Sequence, residues 1–425
     1  MKFLKQVSLY TFVGFFGAGI NFFVTPVLSH YLSPADYGLL SLFNTYITIL
    51  IPLISMSAYS LLNVDYFKEK NKAVFASEFA SIQVIPVITT FFLILLTWKF
   101  YGRFADDLEL KGTGVRWGFV AVLISFFSIY FDQFIQFLIL QRKAASFAIY
   151  TIVKASLEVA LTFYFVIVKG LNWEGRMYSW FITTGLFSLL GFIYFYKQGF
   201  FNGFIKMKYI KEGIIFGSPL ILHGIGKFVV NQSDRIFIVK MVSLNEAGIY
   251  NIGYTVGMMV LIVISAFFSY FTPFIMERLA NLTADGKFQI VKMSYIYGFG
   301  CLLLLAFIML LSPLFFKYFI DARYQRGISY VFWIALGYCF WGGYMLFSGF
   351  IFFYKRNSIL GWLSIINVTT NLLFNYFFIK WFGAIGAAYA TALSFFMTFA
   401  IIAFKSNQLI KLPWFQFNAA MSVKL

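Results

Sequence analysis

The chain has 425 residues, of which 61% are hydrophobic, 22% aromatic and only 12% charged, and its mean hydropathy is +0.82. That composition excludes a soluble globular domain and reads as a polytopic membrane protein. The net charge of +17 comes from lysines and arginines scattered through short loops between apolar runs, so membrane topology accounts for it and no nucleic-acid partner is expected.

Apolar runs of ~20 residues or more, long enough to cross a bilayer, fall at about 7–29, 38–62, 79–99, 115–140, 146–168 and 176–197. After a basic linker they resume at about 213–240, 249–275, 292–316, 327–352, 359–380 and 383–405. The basic start MKFLK runs into an apolar stretch too long for a signal peptide, with no small-x-small cleavage site, so it is expected to be kept as the first helix. The expected fold class is all-α integral membrane, with about twelve transmembrane helices. Cys301 and Cys339 both fall in apolar runs, so neither a disulfide framework nor a thiolate metal site is expected. No metal or cofactor is expected either. Loop lysines and arginines are commoner on the side that holds the N-terminus, among them Lys68, Lys72, Arg142 and Lys143, which predicts both termini in the cytoplasm. The linker KQGFFNGFIKMKYIKE pairs lysines with apolar residues and suits contact with an anionic leaflet of membrane lipids.

The sequence repeats itself. LSPADYGLLS (32–41) matches VSLNEAGIYN (242–251), Gly175-Arg-Met-Tyr178 matches Gly386-Ala-Ala-Tyr389, and Arg142-Lys143 matches Lys355-Arg356, all at offsets of about 210–213 residues. Repeats separated by six helices share an orientation, an architecture in which substrate binds between two rocking bundles. The expected domains are a six-helix bundle at 1–197, a basic linker at 198–212, a second six-helix bundle at 213–405 and a cytoplasmic tail at 406–425.

Polar residues inside the apolar runs are the candidate site. In 213–240, His223, Lys227, Asn231, Asp234 and Arg235 fall within about a third of the helix circumference at 100° per residue. A charge at mid-membrane costs at least ~2.5–3.5 kcal/mol, so this stripe must face protein or water. One reading is a polar cavity with Lys227 and Arg235 open to an anionic substrate. The other is an Asp–Arg or Asp–Lys pair that only locks helices together. In 146–168, Lys154, Glu158 and Thr162 share a face, and at the repeat offset they correspond to Asn367, Asn371 and Asn375. Lys154 and Glu158 form either a self-neutralising pair or part of a cavity, and the asparagines either hold helices together or touch substrate. Asp132, with Gln133 and Gln136, gives the fourth run a mid-span carboxylate suited to a coupling ion or to a structural partner. No phosphate-binding glycine loop, nucleophile elbow or zinc-binding helix is present, and no loop is long enough for a glycosyltransferase or polymerase active site, so no catalytic residue is expected.

The two-by-six plan, the L-S-x-x-[DE]-x-G loop after the first and seventh helices, Asp234-Arg235, and the run GAIGAAYAT (383–391) resemble Wzx-type polysaccharide flippases. These belong to the multidrug/oligosaccharidyl-lipid/polysaccharide exporter superfamily, and the resemblance covers essentially the whole chain. It implies two pseudo-symmetric bundles of the MATE-like exporter fold in a bacterial cytoplasmic membrane. It further implies a lipid-linked oligosaccharide substrate on an undecaprenyl pyrophosphate carrier, moved by alternating access for surface polysaccharide (O-antigen, capsule or exopolysaccharide) biosynthesis alongside polymerase and export machinery. A cationic cavity and coupling to protons or sodium ions are also implied. On this chain, Arg235, Lys227 and Lys154 would attract the pyrophosphate, with Asn231 and Asn371 beside them, and Asp234, Glu158 or Asp132 would carry the coupling ion. The alternative within the superfamily is a cation-coupled drug or metabolite antiporter. The absence of an acid from the first helix argues against it.

Overall fold

The computed structural model describes residues 22–69, 71–107, 113–280 and 282–416, together with Val13, Phe16, Gly19 and Ile20. Every regular element among the described residues is helical. Ten of their helices are long and apolar enough to cross a membrane, and one bent helix brings the number to as many as eleven. The first expected span, at about 7–29, lies in part outside the described residues. The all-α membrane fold is as expected. By packing, the chain divides into two compact units, Met1–Lys240 and Met241–Leu425. The expected division lay at the 198–212 linker, where the repeat begins again; the packing division falls one helix later.

In the first unit, α1 (22–31) leads into α2 (Pro34–Ser55). Ser33 caps α2: its side chain accepts from Asp36 N while the Asp36 carboxylate accepts from Ser33 N, and Pro34 opens the helix. The repeated LSPADYG loop is therefore a capping box. Its partner in the second unit does the same work, with Ser243 accepting from Glu246 N at the start of α10 (Leu244–Gly257). The short motif shared by the two halves marks where a helix starts.

One expected span is corrected. Residues 38–62 are not one helix, because α2 stops at Ser55, Met56 and Ser57 take left-handed backbone (φ 48° and 49°), and α3 (Tyr59–Lys68) starts afresh. Thr89 Oγ1 donates to Ile54 O at 2.6 Å and so satisfies a carbonyl at the broken end. The chain continues through α4 (Lys72–Ile82) and α5 (Val84–Asp107), which cross together, then α6 (Val115–Leu140) and α7 (Ala144–Phe163). After α7 come a π-helical turn at Tyr164–Val168, α8 (Asn172–Lys197) and α9 (Met207–Met241). A Cβ on Gly217 of α9 would lie 2.1 Å from Met56 O, and one on Gly224 would lie 3.3 Å from Pro52 Cβ. Glycine is what lets α9 lie directly on the α2 break. The core of the unit is aromatic: Phe75, Phe79, Phe134, Phe137 and Phe195 are buried together, and Phe200 and Phe201 from the linker pack onto them. Lipid gives no hydrophobic drive to helix association, so this unit gains from ring geometry, such as Phe79 against Phe195 at 4.9 Å between centroids.

In the second unit, α10 and α11 (Val260–Ala280) form one span, followed by α12 (Ala284–Phe319) and α13 (Ile328–Phe353). α14 (Asn357–Phe382) and α15 (Ile385–Leu409) complete it. α15 lies against both α13 and α14. A Cβ on Gly337 would sit 3.3 Å from Ala392 Cα, and one on Gly386 would sit 2.1 Å from Phe378 O. In the first unit Gly175, the repeat partner of Gly386, approaches Phe165 in the same way, at 3.0 Å.

Two stability effects are expected in detergent-solubilised protein followed by thermal unfolding. Gly217→Ala should cost roughly 1–3 kcal/mol through overpacking. Gly102→Ala, where a Cβ meets nothing within 4 Å, should stay within about 0.5 kcal/mol. Ser33→Ala and Ser243→Ala should each cost about 1 kcal/mol through loss of a cap, and equal stability of the capped and uncapped proteins would refute the assignment.

Candidate functional site

α9 passes through the stripe read from the sequence and bends by 44° between its Met207–Gly226 and Phe228–Met241 parts, at Lys227. Glycine weakens a helix locally, and Gly224 and Gly226 stand just before the bend. The side chains of Lys227 and His223 lie outside the described residues. Beyond the bend, Asp234 and Arg235 are buried, each side chain 3% exposed, and they meet at 2.7 Å. The same Asp234 oxygen also accepts from Arg235 N at 2.9 Å, and Arg235 Nη1 donates to Asn231 O at 2.6 Å. Two adjacent, opposite charges thus close on each other. In a dry site, removing either partner leaves an uncompensated charge costing about 3–5 kcal/mol.

The second group is built on α7 and α8 and has one member more than the sequence reading gave it. Glu158 holds Lys154 Nζ at 3.1 Å with one oxygen and Arg176 Nη2 at 3.0 Å with the other. Arg176 Nη1 donates to Thr162 Oγ1 at 2.7 Å, Thr162 donates in turn to Glu158 O at 2.6 Å, and the guanidinium stands 5.0 Å from the Trp180 ring. Helical spacing puts Lys154, Glu158 and Thr162 on one face, and the close approach at Gly175 brings Arg176 against it. Arg176 stands at the very edge of the apolar run 176–197, but α8 starts at Asn172, four residues earlier, and the residue is buried within it. The clue lay in the sequence, where Gly175-Arg-Met-Tyr178 repeats as Gly386-Ala-Ala-Tyr389.

Two cations share one carboxylate here, and a second carboxylate, Asp132 on α6, lies within electrostatic reach of Lys154. Lys154 is the more accessible of the two cations, its side chain 18% exposed against 8% for Arg176. Its ammonium lies 5.2 Å from the Phe131 ring of α6, and its charge reaches the exposed Asp132 on the same helix. Nearby on α6, Gln133 accepts from Gln83 Nε2 at 3.1 Å, a buried amide pair that joins α6 to the α4–α5 junction. Glu78, also unremarked in the sequence, is buried on α4.

The third group occupies the corresponding helices of the second unit. Asn375 Nδ2 donates to Asn371 Oδ1 at 3.0 Å, and Asn371 Nδ2 donates to Ser394 Oγ on α15 at 3.3 Å. Asn367, Asn371 and Asn375 are all buried. Amides do here, without charge, what Lys154, Glu158, Thr162 and Arg176 do with it. Among the described residues no three metal-ligating side chains gather.

Comparison with known proteins follows the same lines. The chain is 24% identical over 383 residues to the Lsg locus putative protein 1 of Haemophilus influenzae, covering 86% of this chain and 89% of that one. In fold it is similar to an inward-facing multidrug resistance MATE family transporter of the MOP superfamily, with TM-score 0.75 and 13% identity over 96% of each chain. It is equally similar to the lipid II flippase MurJ in an inward closed conformation, with TM-score 0.75 and 13% identity over 97% of this chain and 90% of that one. The MATE-like exporter fold implied by the family resemblance is the fold of this chain. Residues 3–278 match the family described as polysaccharide biosynthesis protein, and the chain, a multi-pass membrane transporter in architecture, belongs to that family.

Proposed function

We propose that this protein is a flippase that carries undecaprenyl-pyrophosphate-linked oligosaccharide repeat units across a bacterial cytoplasmic membrane, by alternating access, for surface polysaccharide assembly. The family match and the likeness to a lipid II flippase support a lipid-linked cargo. The observation that carries the reading is a partly accessible cation inside the first unit, Lys154, which shares one carboxylate, Glu158, with the more buried Arg176. A charge within the membrane must face protein or water, and a pyrophosphate head group is an anion that such a cation can meet. Lys154 leads the cargo contacts because it is the accessible cation. Arg235, closed on Asp234, would have to leave its partner first, and Lys227 and Asn231 stand on the same helix. Asn371 serves from the second unit.

The cargo moves against no bond broken in the chain, so an ion gradient supplies the drive, with a proton or sodium ion carried on Asp132, Glu158 or Asp234. Both termini then lie in the cytoplasm, and a polymerase takes the cargo on the far side. The alternative, a cation-coupled drug or metabolite antiporter, draws on the equal fold likeness to a multidrug transporter and on the same carboxylates.

One experiment separates the two. In a host lacking the gene, lipid-linked repeat units should collect on the cytoplasmic face, read with a glycan probe on intact and permeabilised cells. Wild type should clear them, and Lys154→Ala should lower export at least about tenfold while the protein still accumulates in the membrane. Normal surface polymer with altered drug tolerance would sink the flippase reading. Surface-exposed, unpolymerised units would point to a polymerase. Asp234→Asn and Arg235→Ala should each lower the stability of the purified protein by about 3–5 kcal/mol, and restoration by the double substitution Asp234→Asn, Arg235→Gln would show that the pair is mainly structural.

A further inference from the structure

We infer that Glu158 is a built-in counter-anion that competes with the cargo for Lys154, and that Arg176 is the positioning residue that lets it give Lys154 up. This rests on the proposed anionic cargo and assigns the parts of its site.

The geometry separates the two cations. Arg176 is fixed from three sides: on Glu158 at 3.0 Å, on Thr162 Oγ1 at 2.7 Å and over Trp180. A guanidinium has a rigid fork of donors, so it spans Glu158 and Thr162 at once, which an ammonium cannot do. Lys154 is held differently. Among the described residues its one hydrogen bond is the 3.1 Å bond to Glu158, although an ammonium has three donors, and it is the more exposed of the two cations. When Lys154 swings away, Glu158 keeps Arg176, so no bare carboxylate is left in a dry site. Without Arg176, releasing Lys154 would strand that carboxylate at a cost of several kcal/mol.

The repeat supplies an internal comparison. The equivalent helices α14 and α15 are held together by Asn371, Asn375 and Ser394 with no charge at all. Joining this helix pair does not need ions, so the charges of the first unit serve another end. A resting pair of Lys154 with Glu158 keeps Lys154 partnered when the site is empty. An arriving phosphate takes Lys154, and Glu158 recovers it when the cargo leaves, which limits how tightly the cargo is held.

The test uses purified full-length protein in lipid nanodiscs, with geranylgeranyl pyrophosphate as probe and uncharged geranylgeraniol as control. Wild type should bind the pyrophosphate more tightly than the alcohol. Glu158→Gln should tighten pyrophosphate binding about 3–5-fold, the scale of freeing one partly exposed ion pair, while slowing export in cells. Lys154→Gln should weaken binding, and the double variant should match Lys154→Gln alone. Arg176→Lys keeps the charge but cannot span Glu158 and Thr162. It should weaken binding by a similar factor, because Glu158 then leans on Lys154, and it carries the test if Glu158→Gln does not accumulate. Wild-type binding of the pyrophosphate with Glu158→Gln weakened or unchanged, or with Arg176→Lys unchanged, overturns the inference and leaves the flippase reading standing. Wild type that binds the pyrophosphate no better than the alcohol overturns that reading and the inference with it.

Discussion

Hydrocarbon cannot hydrogen-bond, and every polar group that the chain carries into the membrane must be answered from within the protein. The polar geometry of both units follows from that demand. Asp234 is answered by its own neighbour in sequence, Arg235, at 2.7 Å. Glu158 is answered by two cations. On α14, Asn375 donates to Asn371, which donates in turn to Ser394. Even the backbone obeys it: where α2 breaks at Met56 and Ser57, Thr89 supplies a donor to Ile54 O. Because burial of apolar surface adds little when the surroundings are equally apolar, close approach decides which helices meet. Glycine is accordingly found where helices touch backbone to backbone, at Gly217 on the α2 break and at Gly386 on Phe378.

Much of this was legible in the sequence because hydropathy and repetition are both coarse signals that survive drift. The apolar runs gave the helices, and the shared LSPADYG and VSLNEAG loops gave the two-fold plan. Those loops also show why a motif need not be a site, since Ser33 with Asp36 and Ser243 with Glu246 are helix caps. The α2 break was not legible. Nothing in Ile-Ser-Met-Ser-Ala interrupts an apolar run, and the left-handed pair Met56–Ser57 is set by packing against α9 rather than by a residue that prefers that backbone. The burial of Arg176 was not legible for a related reason. Counting basic residues by loop treats a cation near the end of an apolar run as outside the membrane, whereas α8 starts at Asn172 and the residue is buried. Spacing placed Lys154, Glu158 and Thr162 on one face of α7, but no local pattern on one helix can reveal a partner contributed by the next.

The two readings of the α9 stripe, cavity or lock, also part on geometry. Asp234 and Arg235 are almost wholly buried and close on each other with no net charge, as a lock requires. Lys154 is partly open and shares its carboxylate with a second cation, as a lock does not require. Polar stripes that look alike in sequence therefore differ in a property that matters to an anion, how accessible their paired cations are.

Charge is unevenly shared between the repeats. The first unit places Lys154, Glu158, Thr162 and Arg176 where the second places Asn367, Asn371, Asn375 and an alanine-rich turn of α15, on the same helix pair and with the same glycine approach, Gly175 on Phe165 and Gly386 on Phe378. Common scaffolding explains what the two share: caps, close contacts and a polar face satisfied across two helices. It does not explain why one copy carries ions at the much greater desolvation cost that ions incur. Amides would have joined α7 to α8 as they join α14 to α15. The charged copy also ends α7 in a π-helical turn at Tyr164–Val168, while α14 runs on as a regular helix to Phe382. Such turns are rare and concentrate at working parts of helices. Ionised side chains and helical irregularity coincide on the same element of the same unit, and that coincidence, more than the presence of polar residues in the membrane, sets the first copy of this helix pair apart from the second.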